Sequence, residues 1–257
     1  HNPQIKQLVA LRDASKTRKQ TGQAIVEGLR ECMRALQAGV VFDAAYLCFD
    51  FDQGKAHSIV AELEARGTPY YTVSAKAFEK ASGRDNPDGV LAVLRTPLVR
   101  LEDLQVNKDP LFVIVEGVEK PGNLGSLIRS VEATGATGLI VCDPVVDLWS
   151  PQVIRNSQGA VFSLPIALAD KQAVLAFIKT HQLRTVATSP DAVEVFWDAD
   201  LRGPLALLMG SESLGLTAFW MDACDLQVKI PMHGQADSLN LGTATALMLY
   251  EALRQRR

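Results

Sequence analysis

Short apolar runs alternate with amphipathic segments along the whole chain. The run LFVIVEGV (111–118) is continuously apolar, as in strands that are buried on both faces of a parallel sheet. Similar runs recur before and after it, and segments with helical spacing such as KQAVLAFIKTHQL separate them. The runs that predict strands in the first part of the chain are 24–28, 44–49, 69–74 and 89–95. This alternation predicts an α/β fold in which helices cover both faces of a mostly parallel sheet.

The pattern also predicts two α/β domains. The stretch TPLVRLEDLQVNKDP (96–110) has prolines near both ends and mixed polarity, which is typical of a linker. We therefore predict a first, smaller domain over 1–97, a linker over 98–109 and a second domain over 110–257. The chain shows no internal repeat and no low-complexity tract.

Composition narrows the class of protein. The chain is 47% hydrophobic and 21% charged, as is ordinary for a soluble globular protein. No apolar run reaches the about 18 residues that predict a membrane-spanning helix, and the start HNPQIKQ lacks the pattern of a signal peptide. The four cysteines and four histidines are scattered. We therefore expect no metal site, and we predict reduced thiols in a cytoplasmic protein.

Charge is distributed unevenly along the chain. A formal net charge of −3 argues against nucleic-acid binding by the whole surface. The first 38 residues, however, hold seven lysines and arginines against three acidic residues. Such a local excess is typical of a phosphate-binding surface, although a solvated charged face is the simpler interpretation.

Three glycine-containing loops follow predicted strands, where ligands bind in open α/β sheets. The first, GVEKPG (117–122), lacks the lysine of a P-loop, and no GxGxxG follows, which disfavours a nucleotide-dependent enzyme. The second, LLMGSESLGL (207–216), has Glu212 where a serine-hydrolase elbow needs serine. The third, IPMHGQADSLNLG (230–242), leads into the last helix, and Ser238 is its predicted N-cap.

Two of these loops lead into helices with informative faces. The apolar positions of PGNLGSLIRSVEATG form one stripe, which consists of Leu124, Leu127, Ile128 and Val131. Arg129 points away from this stripe, and on its own it is most simply a surface residue. The last helix opens with small residues, including Gly242, which indicates close approach by another backbone or by a ligand.

Together and in this order, the three loops resemble the three motifs of the SPOUT superfamily, specifically of the TrmH/SpoU-like RNA ribose 2′-O-methyltransferases. The matching positions are Asn123 and Arg129 in the first motif, Gly210, Glu212 and Gly215 in the second, and Ile230, Pro231, Ser238, Leu239 and Asn240 in the third. The first block, with SKTRKQTGQAIVEGLRECMRAL, resembles the small α/β substrate-binding domain of many members, which is related in fold to a ribosomal protein.

The resemblance implies a C-terminal α/β domain with a deep trefoil knot, a feature that general folding rules make improbable. It also implies a homodimer packed through the knot region and a cleft for S-adenosylmethionine. The implied activity is methyl transfer to a ribose 2′-hydroxyl of structured RNA, with ribosomal RNA favoured over transfer RNA. The alternative is a non-catalytic dimeric RNA-binding relative with the same fold. No membrane partner is expected.

The resemblance also assigns site residues. The catalytic and RNA-binding set is Asn123, Arg129, Glu212, Ser238 and Asn240, and the residues assigned to the cofactor cleft are Thr188, Gly210, Ile230 and Leu239. Because a guanidinium stays protonated, we expect Arg129 to clamp a phosphate and to lower the pKa of the 2′-hydroxyl. Ser238 or a water would then relay the proton.

Basic residues of the first block complete the predicted RNA-binding set. Lys16, Arg18 and Lys19 are predicted to lie on a loop and to contact the RNA backbone together with Arg129. Such contacts give salt-sensitive affinity with little sequence information.

Overall fold

The computed structural model describes residues 2–51, 54–211 and 213–257. Over these ranges the helices are α1 (Pro3–Asp13), α2 (Ser15–Thr21), α3 (Leu29–Gln37), α4 (Lys55–Ala65), α5 (Ala75–Ala81), α6 (Pro121–Ala133), α7 (Pro151–Asn156), α8 (Lys171–Thr180), α9 (Ala218–Ala223) and α10 (Leu241–Gln255). The strands are β1 (Gln23–Glu27), β2 (Phe42–Leu47), β3 (Tyr70–Thr72), β4 (Val90–Arg95), β5 (Leu111–Glu116), β6 (Gly138–Cys142), β7 (Ile166–Ala169), β8 (Arg184–Thr188), β9 (Glu194–Val195), β10 (Leu205–Met209) and β11 (Leu226–Lys229). Packing divides the chain into a first unit, up to Pro97 together with 147–163, and a second unit, 98–146 together with 164–257.

The first unit contains a mixed sheet in the order β1-β4-β2-β3. β4 runs antiparallel to β1 and β2, and β3 lies parallel to β2 at one edge. α1 and α5 pack together on one side, where Leu8, Leu11 and Phe78 join Ile25 and Leu91 in a hydrophobic cluster. α3 packs against β1, β4 and α4. This unit is therefore α/β, as the alternation predicts, with a mixed sheet.

A segment from later in the sequence completes the first unit. Residues 147–163 include α7, which packs against β1. Arg155 Nη2 donates to the carbonyl oxygen of Gly83 at 2.9 Å, and Arg34 Nη1 donates to that of Gln158 at 3.0 Å. The structure thus differs from the predicted division, which placed this segment in the second domain. Its partners are backbone carbonyls and single charges, which leave no periodic pattern in the sequence.

In the described part of the second unit, seven strands form a parallel sheet in the order β7-β6-β5-β10-β8-β11-β9. This confirms the predicted mostly parallel sheet. Its core cluster includes Phe112 and Leu208 on neighbouring strands. Leu101 and Leu104 are buried in the same cluster, so residues 98–109 belong to the second unit and do not form the free linker that their mixed polarity predicts.

The last helix packs along α6. The predicted apolar stripe of α6 is buried, and Leu124 and Val131 are fully covered. Near the start of α10, a Cβ on Gly242 would lie 2.9 Å from Ser126 Oγ of α6. The small residue therefore permits close approach, as predicted, and the element that approaches is another helix.

The strand order of the second unit reverses next to β5. From β5 the chain continues to β6 and β7 on one side, whereas β10 pairs with the other side of β5. The strand order therefore reverses between β5 and β10, and ligands of such sheets bind beyond the carboxyl ends of the strands. Here those ends are Glu116 and Met209.

The described ranges also bear on the state of the cysteines and on membrane-spanning helices. All four cysteines lie within them and are free thiols. Burial raises the pKa of the Cys142 thiol to about 12, so this group stays protonated at neutral pH. Among the described helices, none is both long and apolar enough to cross a membrane.

We expect Asp147→Ala to destabilise the first unit. The substitution leaves the buried Arg18 without the carboxylate oxygen that lies 2.7 Å from its Nε. Removing one partner of a buried ion pair costs about 3 kcal/mol or more, and urea denaturation measures this loss as the free energy of unfolding. Asp200→Ala removes the carboxylate of an exposed pair with Arg202 and is the control, for which we expect no measurable loss. Equal losses of unfolding free energy in the two variants would contradict a stabilising role of the buried pair Arg18–Asp147.

Candidate active site

A cavity of ≈ 520 Å³ lies at the carboxyl ends of β8, β10 and β11. The residues assigned to a cofactor cleft, Thr188, Gly210, Ile230 and Leu239, all line it, and so does Ser238. They come from three separate segments of the chain, which meet because neighbouring parallel strands end at the same edge of the sheet. The structure therefore brings these five predicted residues together in one site.

The loop after β10 forms one wall of the cavity and closes on itself. The Gly215 amide donates to the carbonyl oxygen of Ser211 at 2.9 Å, and the two residues form an isolated β-bridge. A Cβ on Gly210 would overlap the carbonyl carbon of Gly215 and the amide nitrogen of Leu216. Position 210 therefore requires glycine, because two stretches of backbone touch there. Glu212, which was assigned to the catalytic set, lies outside the described residues.

Asn240, and not Ser238, is the N-cap of α10. Its Oδ1 accepts a hydrogen bond from the Gly242 amide at 3.0 Å, and its Nδ2 donates to Asn123 Oδ1 at 3.5 Å. The predicted N-cap was wrong because the helix begins at Leu241, where the Asn240 side chain is the one within reach of the first free amides. Asn123 and Asn240 thus lie side by side although 117 positions separate them.

Arg129 is exposed on α6 and points away from the buried stripe, as its spacing predicts. It lies about 9 Å along the helix axis from Asn123, since each residue of an α-helix rises about 1.5 Å. A guanidinium offers five N–H donors and no acceptor, so Arg129 can bind phosphate and has no lone pair with which to take up a proton. Helix α6 therefore carries an amide that contacts the third loop and, further along, a cation that faces solvent.

The basic residues assigned to RNA contact lie in helix α2 and not on a loop. Lys16 and Lys19 are exposed, and their spacing places them on one side of the helix. Arg18 is buried, because its Nε donates to Asp147 Oδ2 at 2.7 Å and its Nη1 donates to the carbonyl oxygen of Leu11 at 2.6 Å. The assignment of Arg18 to RNA binding was therefore wrong, because its guanidinium is enclosed in the first unit, where it binds Asp147 and the backbone of Leu11.

Comparison with known proteins matches both units. Residues 110–250 match the SpoU rRNA Methylase family, and residues 2–92 match the MRM3-like substrate binding domain. The chain belongs to the SpoU rRNA methylase family. A 23S rRNA (uridine(2479)-2′-O)-methyltransferase of Streptomyces viridochromogenes is 31% identical to this SpoU methylase, and the match covers 99% of this chain and 91% of the relative.

Solved structures share the fold of this SpoU methylase over nearly its whole length. A crystal structure of an RNA 2′-O ribose methyltransferase is 44% identical, with a TM-score of 0.88, and the match covers 99% of this chain and 96% of that chain. An rRNA methyltransferase from Sinorhizobium meliloti with bound AdoMet is 31% identical, with a TM-score of 0.89 and coverage of 98% and 95%. These findings confirm the predicted family and the α/β fold.

Sequence reasoning missed several residues that line the cavity of this SpoU methylase. Met209, Leu216 and Met232 add apolar surface, and Asp191 and Asp237 add carboxylates. Among the described lining residues, these two aspartates are the charged ones, so the wall is acidic. Asp191 follows β8 and Met209 ends β10. Position at the end of a predicted parallel strand is the signal that could have found both.

We expect Gly210→Ala to open the loop of this SpoU methylase between residues 210 and 217. The added methyl group overlaps backbone atoms, so the hydrogen bond between Gly215 and Ser211 should break. Amide exchange at Gly215, measured by hydrogen–deuterium exchange, should then become faster by about tenfold or more. Gly234→Ala is the control, because its Cβ would meet nothing within 4 Å. Unchanged protection of Gly215 in the first variant would contradict the proposed backbone contact.

Proposed function

We propose that this protein is an S-adenosylmethionine-dependent methyltransferase that modifies a ribose 2′-hydroxyl in ribosomal RNA. The observation that carries the proposal is the cavity at the carboxyl ends of β8, β10 and β11, with the contact between Asn123 and Asn240 beside it. Similar proteins support both substrates. The relative from Streptomyces viridochromogenes is a 23S rRNA 2′-O-methyltransferase, and the Sinorhizobium meliloti structure holds AdoMet.

The residues of the cavity fit this cofactor. A volume of ≈ 520 Å³ lies within the range of about 300–1,000 Å³ that is usual for small-molecule sites. Met209, Leu216 and Ile230 offer apolar surface, which suits a purine ring. Asp191 and Asp237 complement a ligand that carries positive charge. Because the demethylated product has lost the sulfonium charge, an acidic wall favours the cofactor over the product.

When bound, S-adenosylmethionine supplies an electrophilic methyl group on sulfur. The 2′-oxygen must attack in line with the carbon–sulfur bond and must lose its proton as the carbon–oxygen bond forms. Arg129 binds the phosphate beside the target ribose, and its charge lowers the pKa of the 2′-hydroxyl. Ser238 at the cavity, or a water that it holds, relays the proton: it accepts the proton of the 2′-hydroxyl and passes its own to solvent as the carbon–sulfur bond breaks.

Two further members of the catalytic set have less direct roles. The amide groups of Asn123 and Asn240 join α6 to the third loop, and so hold the RNA-facing helix next to the cofactor cavity. The assignment of Glu212 rests on the family motif alone.

In this proposal the first unit binds the RNA substrate. It matches a substrate-binding domain, and it presents Lys16 and Lys19 on one side of α2. Cations in this arrangement bind the phosphate backbone without reading sequence. We therefore assign affinity for structured RNA to α2 and the choice of the reacting ribose to the second unit.

The proposal includes a homodimer packed through a knotted region of the second unit. Leu247 and Tyr250 are exposed on α10, and exposed apolar side chains of this kind suit contact with a second copy. Family membership supports the deep trefoil knot. The free cysteines support a location in the cytoplasm, where thiols stay reduced.

Leu239→Arg is expected to abolish binding of S-adenosylmethionine, because a long charged side chain would fill the cavity that Leu239 lines. Calorimetry measures binding, and transfer of a labelled methyl group to ribosomal RNA measures activity. Leu98→Arg places the same side chain at an exposed leucine outside the cavity and is the control.

Arg129→Lys should bind the cofactor normally and lose turnover on the order of 10²-fold, since an ammonium cannot make a bidentate phosphate contact.

Each outcome has a defined meaning. Loss of binding and transfer in Leu239→Arg, with both retained in Leu98→Arg, supports the proposed site. If the wild-type protein binds ribosomal RNA but does not bind the cofactor and does not transfer a methyl group, the protein is the non-catalytic dimeric relative. Near-normal turnover of Arg129→Lys would exclude the bidentate clamp.

The double variant Lys16→Glu/Lys19→Glu is expected to weaken binding of ribosomal RNA and to flatten its salt dependence. Each lost phosphate contact lowers the slope of log Kd against log salt concentration by about 1, so we expect a change of about 2. Fluorescence anisotropy over a range of salt concentrations measures this slope. Lys108→Glu/Lys179→Glu makes the same charge change at exposed positions of the second unit and is the control. An unchanged slope in the first variant would remove α2 from the RNA-binding surface.

A further inference from the structure

Glu116 is a buried acidic residue at the carboxyl end of β5, beside the strand-order reversal. Both of its carboxylate oxygens are used by one residue. Glu116 Oε2 accepts a hydrogen bond from the Thr217 amide at 2.9 Å, and Oε1 accepts one from Thr217 Oγ1 at 3.0 Å. A carboxylate is the side chain that can accept from both donors at once, since it has no hydrogen of its own to present.

Thr217 is the residue at which the loop after β10 enters α9. The residues just before it, Gly215 and Leu216, line the cavity, and Met221 of α9 lines it as well. The loop is closed at its start by the contact between Gly210 and Gly215. The bond to Glu116 fixes its other end to β5, the strand that pairs with β10. Together the two contacts set the shape of this wall.

Glu116 also lies at the start of the connection to α6. Five residues after it, α6 begins, and this helix carries Asn123 and Arg129 of the assigned catalytic set. One side chain therefore joins the strand that leads to the RNA-facing helix with the loop that walls the cofactor cavity.

We propose that Glu116 is a positioning residue for the cofactor, and that its carboxylate acts through Thr217 to hold Gly215 and Leu216 in the cavity wall that binds S-adenosylmethionine. The inference rests on the proposed function and deepens it. Glu116 does not line the cavity, so its effect on the cofactor is indirect. It should therefore change cofactor affinity much more than the rate of methyl transfer.

The same unit contains another carboxylate–threonine pair at the opposite end of the sheet. Asp225 Oδ2 accepts from the Thr185 amide and from Thr185 Oγ1, each at 2.8 Å. Thr185 lies near the amino end of β8, and Asp225 directly precedes β11. Here one carboxylate oxygen accepts from both donors of one threonine, and the Asp225 amide also donates to Thr185 Oγ1. The pair lies away from the cavity, so it separates loss of stability from loss of cofactor binding.

The test compares Glu116→Gln with Asp225→Asn in the full chain. The glutamine that replaces Glu116 has a single acceptor oxygen, so the charge-assisted hydrogen bonds are lost and the Thr217 hydroxyl must turn to accept from the new NH₂ group. We expect the Kd for S-adenosylmethionine, measured by calorimetry, and the KM for the cofactor to rise by about tenfold or more, and kcat at saturating cofactor to change by less than about threefold. Asp225→Asn replaces the charged acceptor of two hydrogen bonds by a neutral one, so it should lower the melting temperature and leave the cofactor Kd within about twofold of wild type.

Thr217→Val provides an independent variant that keeps Glu116. It removes the hydroxyl donor and keeps the amide, so we expect a smaller rise in Kd than in Glu116→Gln. In the double variant Glu116→Gln/Thr217→Val, the fold-increase in Kd should be less than the product of the two single increases, because both substitutions disrupt the same contact. If Glu116→Gln does not fold, Thr217→Val decides the matter by the same measurement.

Two results would overturn the inference. One is a cofactor Kd in Glu116→Gln or Thr217→Val that equals that of wild type. The other is a rise in Kd that Asp225→Asn reproduces, since the effect would then follow general stability. Both differ from failure of the proposed function, in which the wild-type protein itself does not bind the cofactor.

Discussion

The parallel pairing of β5 with β10 is the contact on which the site of the second unit depends. It runs in register from Leu111 opposite Leu205 to Val115 opposite Met209. Both strands are buried along their whole length, so apolar packing on both faces sets this register. The loops that follow the two strands take their positions from it. A shift by one residue would turn every side chain to the other face and separate Glu116 from Thr217.

Much of the fold follows from apolar patterning. The apolar run 111–118 contains β5, and the residues of β6 are apolar as well, because strands buried on both faces need apolar residues at nearly every position. The order of the strands could not be predicted in this way, since β10 lies between β5 and β8 through pairings between distant parts of the chain. The packing of residues 147–163 in the first unit could not be predicted either, because its hydrogen-bond partners include backbone carbonyls, which every residue type carries.

The site was predictable to a different extent. The family motifs assigned Gly210 and Leu239, whereas their residue types alone would not have shown a cavity. Arg18 resembles its lysine neighbours in sequence, because a buried arginine differs from an exposed one only in its tertiary partner, Asp147. Ser238 and Asn240 are both good N-cap residues, and spacing cannot choose between them. The structure decides each case through a contact that spans many residues of sequence.

The chain leaves the second unit after β6 to form residues 147–163 of the first unit, and then returns to form β7. The first unit is therefore built from two stretches that are separate in the sequence. A recombination event that replaced only the residues up to Pro97 would separate Arg18 from Asp147 and Arg34 from the carbonyl of Gln158. An exchange of the first unit between two such proteins would therefore have to carry residues 147–163 as well as the residues up to Pro97.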